Sequence, residues 1–293
     1  MSDESTETLA TLRLALPKGR MQVGVFQLLA DAGIHVRVDA RGYRPGLSLA
    51  AAEAKLLKPQ NIIEMLHAGS RDLGFAGADW VAELGVGLVE LLDTGLDPVQ
   101  LVAAAPAEVL DGGRLPARPV RVASEYVALT ERWMRRCGVR GTVLRSYGAT
   151  EVFPPEDADA IVDNTATGST LRANGLVIFD ELLRSSTRLY AHPAALDDPS
   201  RRARIESVVL LLRSVLAARG RVMVEINVPS DRLAAVIAVL PCMKEPTLAR
   251  LHGEDGYAVK AAVKRELLAA LIPELKARGG SDIVVYPLSQ IVP

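Results

Sequence analysis

The chain has 293 residues, 49% of them hydrophobic, with 34 basic and 35 acidic side chains and a formal net charge of −1. That length predicts two or three domains at about 100–200 residues each, and the near-neutral balance gives no electrostatic basis for binding nucleic acid or an anionic membrane. The cysteines, Cys137 and Cys242, lie far apart, fit neither a disulfide framework nor a zinc site, and point to a reducing cytoplasm.

In chain order, residues 1–11 are polar and acidic, which predicts a disordered tail rather than a signal peptide. No apolar run approaches the ~20 residues of a membrane helix. Leu12 to Leu16 alternates as a strand. Pro17-Lys18-Gly19-Arg20 follows, then helical spacing over Met21 to Ala32 with Gly33 as the stop. A strand, a Lys-Gly-Arg turn and a helix make an anion site at a strand's carboxyl end, with a solvated basic turn as the plainer reading. Ala50 to Leu57 has the composition of a helix. Lys58-Pro59-Gln60-Asn61 opens a helix over 62–67. A short buried strand ends at Gly77, where the backbone could approach a ligand, and Asp79 is expected to be the N-cap of the next helix. Val89 to Leu92 and Val99 to Ala105 read as separate strands, the second crossing into another lobe.

Val120 to Ala123 predicts a strand, and Ser124-Glu125-Tyr126 a cap for a helix ending at Cys137 before Gly138. Ser124 and Tyr126 would then sit at a strand's carboxyl end, where ligands bind in such sheets. Tyr126 could pack on an adenine or in the core. Thr142 to Arg145 is a further strand. The alternation of strands and helices predicts parallel α/β layering.

The most informative stretch is Asp159-Ala-Ile-Val-Asp163 followed by Asn164-Thr165-Ala166-Thr167-Gly168-Ser169-Thr170-Leu171. It reads as a buried strand entering a hydroxyl-rich loop. Gly168 frees the backbone for positive φ, so that amide N–H groups can converge on an anion. A helix starting near Leu171 would add its N-terminal partial charge. Such parts cradle a phosphate without Lys or Arg, and leave Asp163 to accept from sugar hydroxyls or hold a metal. A plain Thr/Ser/Gly loop is the competing reading.

From Ala158 through Leu176 this stretch resembles the signature of the ATP phosphoribosyltransferase family, and the resemblance extends over about residues 12–293. It implies a two-lobed α/β core of the type II periplasmic-binding-protein-like kind, with the site in the cleft. Lobe I would comprise 12–100 and 187–219, and lobe II 101–186. It implies that Glu151, Asp163, Asn164, Thr165, Ala166, Thr167, Gly168, Ser169 and Thr170 bind phosphoribosyl pyrophosphate. Lys18, Gly19, Arg20, Lys58, Gly77, Ser124 and Tyr126 would face ATP or pyrophosphate. It makes 50–57 a strand. Lys58 and Asn61 depart from the family's Arg-Pro-x-Asp, and 153–157 is shortened after Glu151. Mg2+ is the implied cofactor, carried mainly on pyrophosphate. No nucleophilic constellation is present, so Lys18, Arg20 and Asp163 would act electrostatically.

Leu176 to Phe179 and Thr187 to Ala191 read as strands, the latter crossing back, and a helix then runs to Ala218. From Gly220 the order β-α-β-β-α-β predicts a ferredoxin-like domain over 220–293. The resemblance makes it the histidine-binding regulatory domain of the long form, with Asn227, Met243 and Thr247 at the L-histidine pocket. It also implies dimers assembling into hexamers. The rival readings are a two-lobed phosphometabolite sensor without turnover and a phosphoribosyltransferase with another acceptor.

Overall fold

A computed structural model describes residues 10–39, 42–243, 245–253 and 255–292. Most of the expected tail, residues 1–9, lies outside them, as does Glu254 of the C-terminal hairpin. The first part of the chain contributes β1 (Leu12–Pro17), α1 (Arg20–Asp31), the short pair β2 (Val36–Arg37) and β3 (Gly46–Leu47), and β4 (Ala52–Leu57). Then come α2 (Pro59–His67), β5 (Leu73–Gly77), α3 (Ala78–Leu84) and β6 (Val89–Pro106). The helical composition of 52–57 is overridden because β4 pairs in parallel with β1 along its whole length.

The second part contributes β7 (Val120–Ser124), α4 (Val127–Cys137), β8 (Gly141–Arg145), β9 (Ala160–Thr165), α5 (Ser169–Ala173) and β10 (Leu176–Ala191). These strands form one eight-stranded sheet in the order β4-β1-β5-β10-β6-β9-β7-β8. β1, β4 and β5 run parallel at one end, and β7, β8 and β9 run parallel at the other. The long antiparallel strands β6 and β10 pass between the two groups. This is the two-lobed arrangement with two crossings.

Two strand expectations need correction. Val89 to Leu92 and Val99 to Ala105 are parts of the single strand β6, and Leu176 to Phe179 and Thr187 to Ala191 are parts of β10. The breaks read from the sequence are bends inside continuous strands. Gly95 and Asp97 have positive φ, and the register slips around Thr187. A bulge re-aims a strand without ending it, and here it marks the crossing.

After α6 (Pro193–Asp197) and α7 (Pro199–Arg219), the chain forms β11 (Arg221–Pro229), α8 (Leu233–Ile237), β12 (Thr247–Arg250), β13 (Gly256–Lys264), α9 (Leu268–Ala277) and β14 (Ser281–Pro287). Their sheet order, β12-β13-β11-β14, is all antiparallel and ferredoxin-like. Val222, Val224, Ile226 and Val228 alternate inward from β11 onto Val236, Leu271 and Leu275, as a period of two requires. By its contacts the chain divides into two compact units, one running to Gln27 with Ile34–Glu206, the other Leu28–Gly33 with Ser207–Pro293.

One ion pair ties the start of β1 to β5. Asp72, 1% exposed, accepts from the Arg13 backbone N–H at 2.8 Å, from Arg13 Nε at 3.1 Å and from Arg13 Nη2 at 2.6 Å. Burial alone would raise the Asp72 carboxyl, but the Arg13 bonds and the Arg13 and Arg201 charges hold it below the ordinary carboxylate range. A depressed folded-state pKa gives stability that is present above the unfolded value and lost as pH falls through the folded one. Asp72→Asn is therefore expected to cost about 3 kcal/mol at pH 7, with the deficit closing below about pH 4. Thermal unfolding followed by circular dichroism at several pH values checks it; a deficit unchanged between pH 7 and 3 would refute the ionic account.

Candidate active site

The carboxyl ends of the parallel strands carry the expected residues. β1 delivers Lys18, Gly19 and Arg20, with Gly19 at φ +82° in the tight turn and Arg20 opening α1. No acidic residue occupies the first turn of α1, so that helix end keeps its positive character. Lys18 is exposed, its Nζ 3.2 Å from the Tyr43 hydroxyl and 4.3 Å from the ring centroid. A cavity of about 220 Å³ gathers Lys18 and Arg20 with Trp80 from α3, Asn164 from β9 and Ser185 from β10. Gly77 lines it too; Lys58, exposed at the start of α2, does not, although the adjacent Pro59 does.

β9 runs on through Asp163 to Thr165, two residues past the expected end. The loop that follows is organised by its own hydroxyls. Gly168, at φ +70°, donates its N–H to Thr165 Oγ1 at 2.8 Å, and the Thr167 and Ser169 hydroxyls lie 3.0 Å apart. The helix begins at Ser169, before the expected Leu171, and α5 has five residues, so little helix dipole acts on the loop. A cation does reach it. Arg172 Nη2 donates to the Thr167 carbonyl at 3.0 Å, and a Cβ on Gly168 would meet Arg172 Nη1 at 2.9 Å. The sequence reading of a loop without Lys or Arg leaves out this neighbour: Arg172, on the short helix after the loop glycine, bonds the loop backbone.

Asp163 is partly buried beside other acids. Burial pushes its carboxyl up to about 6, the Glu125 and Glu151 charges add to the shift, and the Asn164 N–H and Thr150 hydroxyl oppose it. The Asn164 N–H lies 2.7 Å from Asp163 Oδ1. Asp163, Glu125 and Glu151 thus form an acceptor-rich group beside the end of β9, suited to hydroxyls and to a cationic centre.

Three expectations about the facing side are corrected by burial. Ser124 is fully buried; its hydroxyl donates to the Val162 carbonyl at 2.7 Å and accepts the Tyr126 N–H at 2.9 Å. Tyr126 is also fully buried, its ring 4.6 Å from that of Trp80, and so offers no face to an adenine. Its hydroxyl donates to Asp79 Oδ2 at 2.6 Å, and Asn164 Nδ2 donates to it at 2.9 Å. Burial and the Asp79 charge raise the phenol far above its ordinary value. Asp79 is not an N-cap. It lies in the first turn of α3, where Gly77 caps without a side chain, and Ser185 Oγ donates to its Oδ1 at 2.7 Å. The cap of α4 likewise comes from elsewhere: the Glu83 carboxylate accepts from the N–H groups of Ala128 and Leu129 at 2.9 and 2.8 Å.

In the C-terminal unit, a cavity of about 430 Å³ brings together Met243 and Thr247 with Cys242, Glu245 and Lys260. Asn227 does not line it; its Nδ2 donates to Asp282 Oδ2 at 3.1 Å.

A family model described as ATP phosphoribosyltransferase matches residues 58–214, and one described as HisG, C-terminal domain, matches 218–290. The chain is similar to an ATP phosphoribosyltransferase of Pelotomaculum thermopropionicum, 38% identical over 287 residues, covering 96% of this chain and 99% of that protein. It is likewise similar to one of Desulforudis audaxviator, 39% identical over 289 residues with the same coverage. Among solved structures, the ATP phosphoribosyl transferase (HisG:HisZ) complex from Thermotoga maritima aligns with a TM-score of 0.61 at 24% identity, over 69% of this chain and 99% of that one. That last likeness is one of fold.

Proposed function

We propose a division of labour for the cleft of this chain, which belongs to the ATP phosphoribosyltransferase family. The chain is a pentosyltransferase of class EC 2.4.2.17. It condenses ATP, through adenine N1, with phosphoribosyl pyrophosphate, releasing pyrophosphate in the first step of histidine biosynthesis. In our reading the loop Thr165–Thr170, with Arg172 against it, holds the 5-phosphate. Asp163 and Glu151 accept from the ribose hydroxyls. Lys18, Gly19 and Arg20 face the pyrophosphate and the ATP phosphates, and Lys58 stands as an outer diphosphate contact. The observation that supports the Lys18 and Arg20 side of this reading is the cavity the two cations share with Asn164 of β9.

Departure of pyrophosphate leaves a cationic, oxocarbenium-like ring. The Asp163 and Glu151 carboxylates favour that charge, and Lys18 and Arg20 favour the leaving diphosphate. Holding both substrates in line supplies the rest, with no protein nucleophile. Among the described residues no group of three or more His, Cys, Asp or Glu is arranged to hold a metal. Asp163 or Glu151 would supply a single carboxylate contact to a Mg2+ carried on the substrate phosphates, and the ion would neutralise charge on the leaving diphosphate.

The C-terminal domain is read as the feedback site for L-histidine. Met243 and Thr247 sharing a cavity supports this. Asn227, whose Nδ2 donates to Asp282 Oδ2, stands outside that cavity, so the reading rests on Met243 and Thr247. We further read the domains as 12–100 with 187–219, 101–186 and 220–293, the protein as a homo-oligomer of dimers and hexamers, and its place as the cytoplasm. Among the described residues no helix is long and apolar enough to cross a membrane.

The test is pyrophosphate release by the full chain with ATP, phosphoribosyl pyrophosphate and Mg2+, with and without L-histidine. Release that needs both substrates and is suppressed by L-histidine is expected. Release insensitive to L-histidine would leave the C-terminal domain a role in assembly alone. Absence of release from folded protein that binds phosphoribosyl pyrophosphate would favour a sensor without turnover, or another acceptor.

A further inference from the structure

Asp79 is a buried acid that the reaction as described leaves unused. It is 5% exposed, and both its oxygens accept: Oδ1 from the Ser185 hydroxyl at 2.7 Å and Oδ2 from the Tyr126 hydroxyl at 2.6 Å. The Ser185 hydroxyl oxygen in turn accepts the Asp79 N–H at 3.0 Å, which locks the carboxylate in place. Tyr126 has a single hydroxyl hydrogen and commits it to Asp79. Its oxygen can then only accept, so Asn164 must present its amide N–H2, which it does at 2.9 Å. The orientation of the Asn164 amide is thereby fixed. Its Oδ1 is left as an acceptor, and among the described residues nothing donates to it.

Asn164 lines the cavity shared with Lys18, Arg20, Met21, Trp80 and Val99. Asp163 and the loop from Thr165 to Thr170 do not. Neighbouring residues on a strand point to opposite faces, so Asp163 and Asn164 serve different sides of β9. If phosphoribosyl pyrophosphate occupies the Asp163 side, the second substrate is left the Asn164 side. That side has apolar walls for a base and cations for phosphates.

We propose that Asn164 Oδ1 accepts a hydrogen bond from the 6-amino group of the adenine of ATP, and that Asp79, Ser185 and Tyr126 are positioning residues that hold the Asn164 amide in that orientation. This rests on the cleft assignment above. The chemistry gives the contact a reason. As the N1 lone pair forms its bond to the anomeric carbon, the carbon–oxygen bond to pyrophosphate breaks and pyrophosphate keeps that electron pair. Positive charge then spreads over N1 and the 6-amino nitrogen. The N–H becomes a stronger donor as the transition state is approached, so an acceptor fixed beforehand stabilises the transition state more than the ground state. The proton stays on the 6-amino nitrogen in this step and leaves to solvent afterwards. A site built around an acceptor also selects for an amino group at this position and against a base without one.

The experiment compares ATP with purine riboside 5′-triphosphate, which has hydrogen in place of the 6-amino group, as acceptors in pyrophosphate release by the full chain. The intrinsic difference in N1 reactivity is common to every variant, so only a change in the ratio of kcat/KM values counts. Asn164→Ala and Tyr126→Phe are each expected to lower the ATP-to-analogue ratio by about tenfold or more, while KM for phosphoribosyl pyrophosphate moves less than about threefold. A ratio unchanged in Asn164→Ala, or a loss that falls on phosphoribosyl pyrophosphate, would overturn the proposal. Should Tyr126→Phe not fold, Asn164→Ala decides, because its side chain is only partly buried. Wild-type release with ATP serves as the internal check: its absence would indict the cleft assignment, and its presence with an unchanged ratio indicts only the Asn164 contact.

Discussion

Asp163→Asn is expected to lower kcat/KM for phosphoribosyl pyrophosphate by about 10²–10³-fold and, at the same time, to make the free protein more stable at pH 8. The two effects share one cause. Burial beside Glu125 and Glu151 pushes the Asp163 carboxyl up to about 6. A folded-state pKa raised above the unfolded value means that ionisation opposes folding. The favourable contribution of the neutral form is complete below the unfolded pKa and is lost as pH rises through the folded one. A rise of about two pK units corresponds to a cost on the order of 2–3 kcal/mol above pH 6, which Asn does not incur. An amide oxygen can still accept the Asn164 N–H that Asp163 Oδ1 accepts at 2.7 Å. The variant should therefore melt higher at pH 8, with the gain shrinking towards pH 5. In the parent, kcat/KM for phosphoribosyl pyrophosphate should fall below about pH 6, as the protonated acid no longer favours a cationic ring. Urea unfolding at pH 8 and 5, with initial rates on the same samples, tests both halves. A variant no more stable at pH 8, with rates intact, would remove Asp163 from the role given to it.

The strand and loop around Asp163 are legible in the sequence because their signals are local. An apolar triplet, an acid and a hydroxyl-rich loop occupy one continuous stretch, and the alternation of Val222, Val224, Ile226 and Val228 announces β11 in the same way. The failures were non-local or ambiguous. Gly95 with Asp97, and the turn-prone Ser185 and Ser186, look like strand ends, yet β6 and β10 continue through them because each finds a partner along its full length. Local composition does not distinguish a bulge from a terminus. Asp79 beside Gly77 has the appearance of a helix cap, but its partners Tyr126 and Ser185 are 47 and 106 residues away. Tyr126 carries an apolar ring and a polar tip, which suits a ligand platform and a buried hydrogen-bonded core equally. Only the fold decides between them. Gly77 lines the candidate cavity, and the space a side chain would take there is filled by a carboxylate of the protein itself.

That last point gives the second large effect. Gly77→Ala is expected to destabilise the chain by about 3 kcal/mol or more although the backbone there suits any residue, at φ −73° and ψ 142°. The obstacle is occupancy. A Cβ at position 77 would overlap Asp79 Oδ1 and lie 3.2 Å from its Cγ. The carboxylate would have to swing away, leaving the buried Ser185 and Tyr126 hydroxyls without their acceptor. If this is the mechanism, the cost must vanish once the carboxylate is gone. In an Asp79→Ala background, Gly77→Ala should cost less than about 1 kcal/mol, so the double-mutant cycle should show a coupling of about 2 kcal/mol or more. Urea unfolding of the four proteins measures it. Additive costs would mean that Gly77 is required for something other than Asp79, and the link from β5 through Tyr126 to Asn164 would lose its starting point. Coupled costs, accompanied by a fall in ATP-dependent turnover in the single Gly77→Ala variant, would tie the glycine to the substrate cavity through the acid it makes room for.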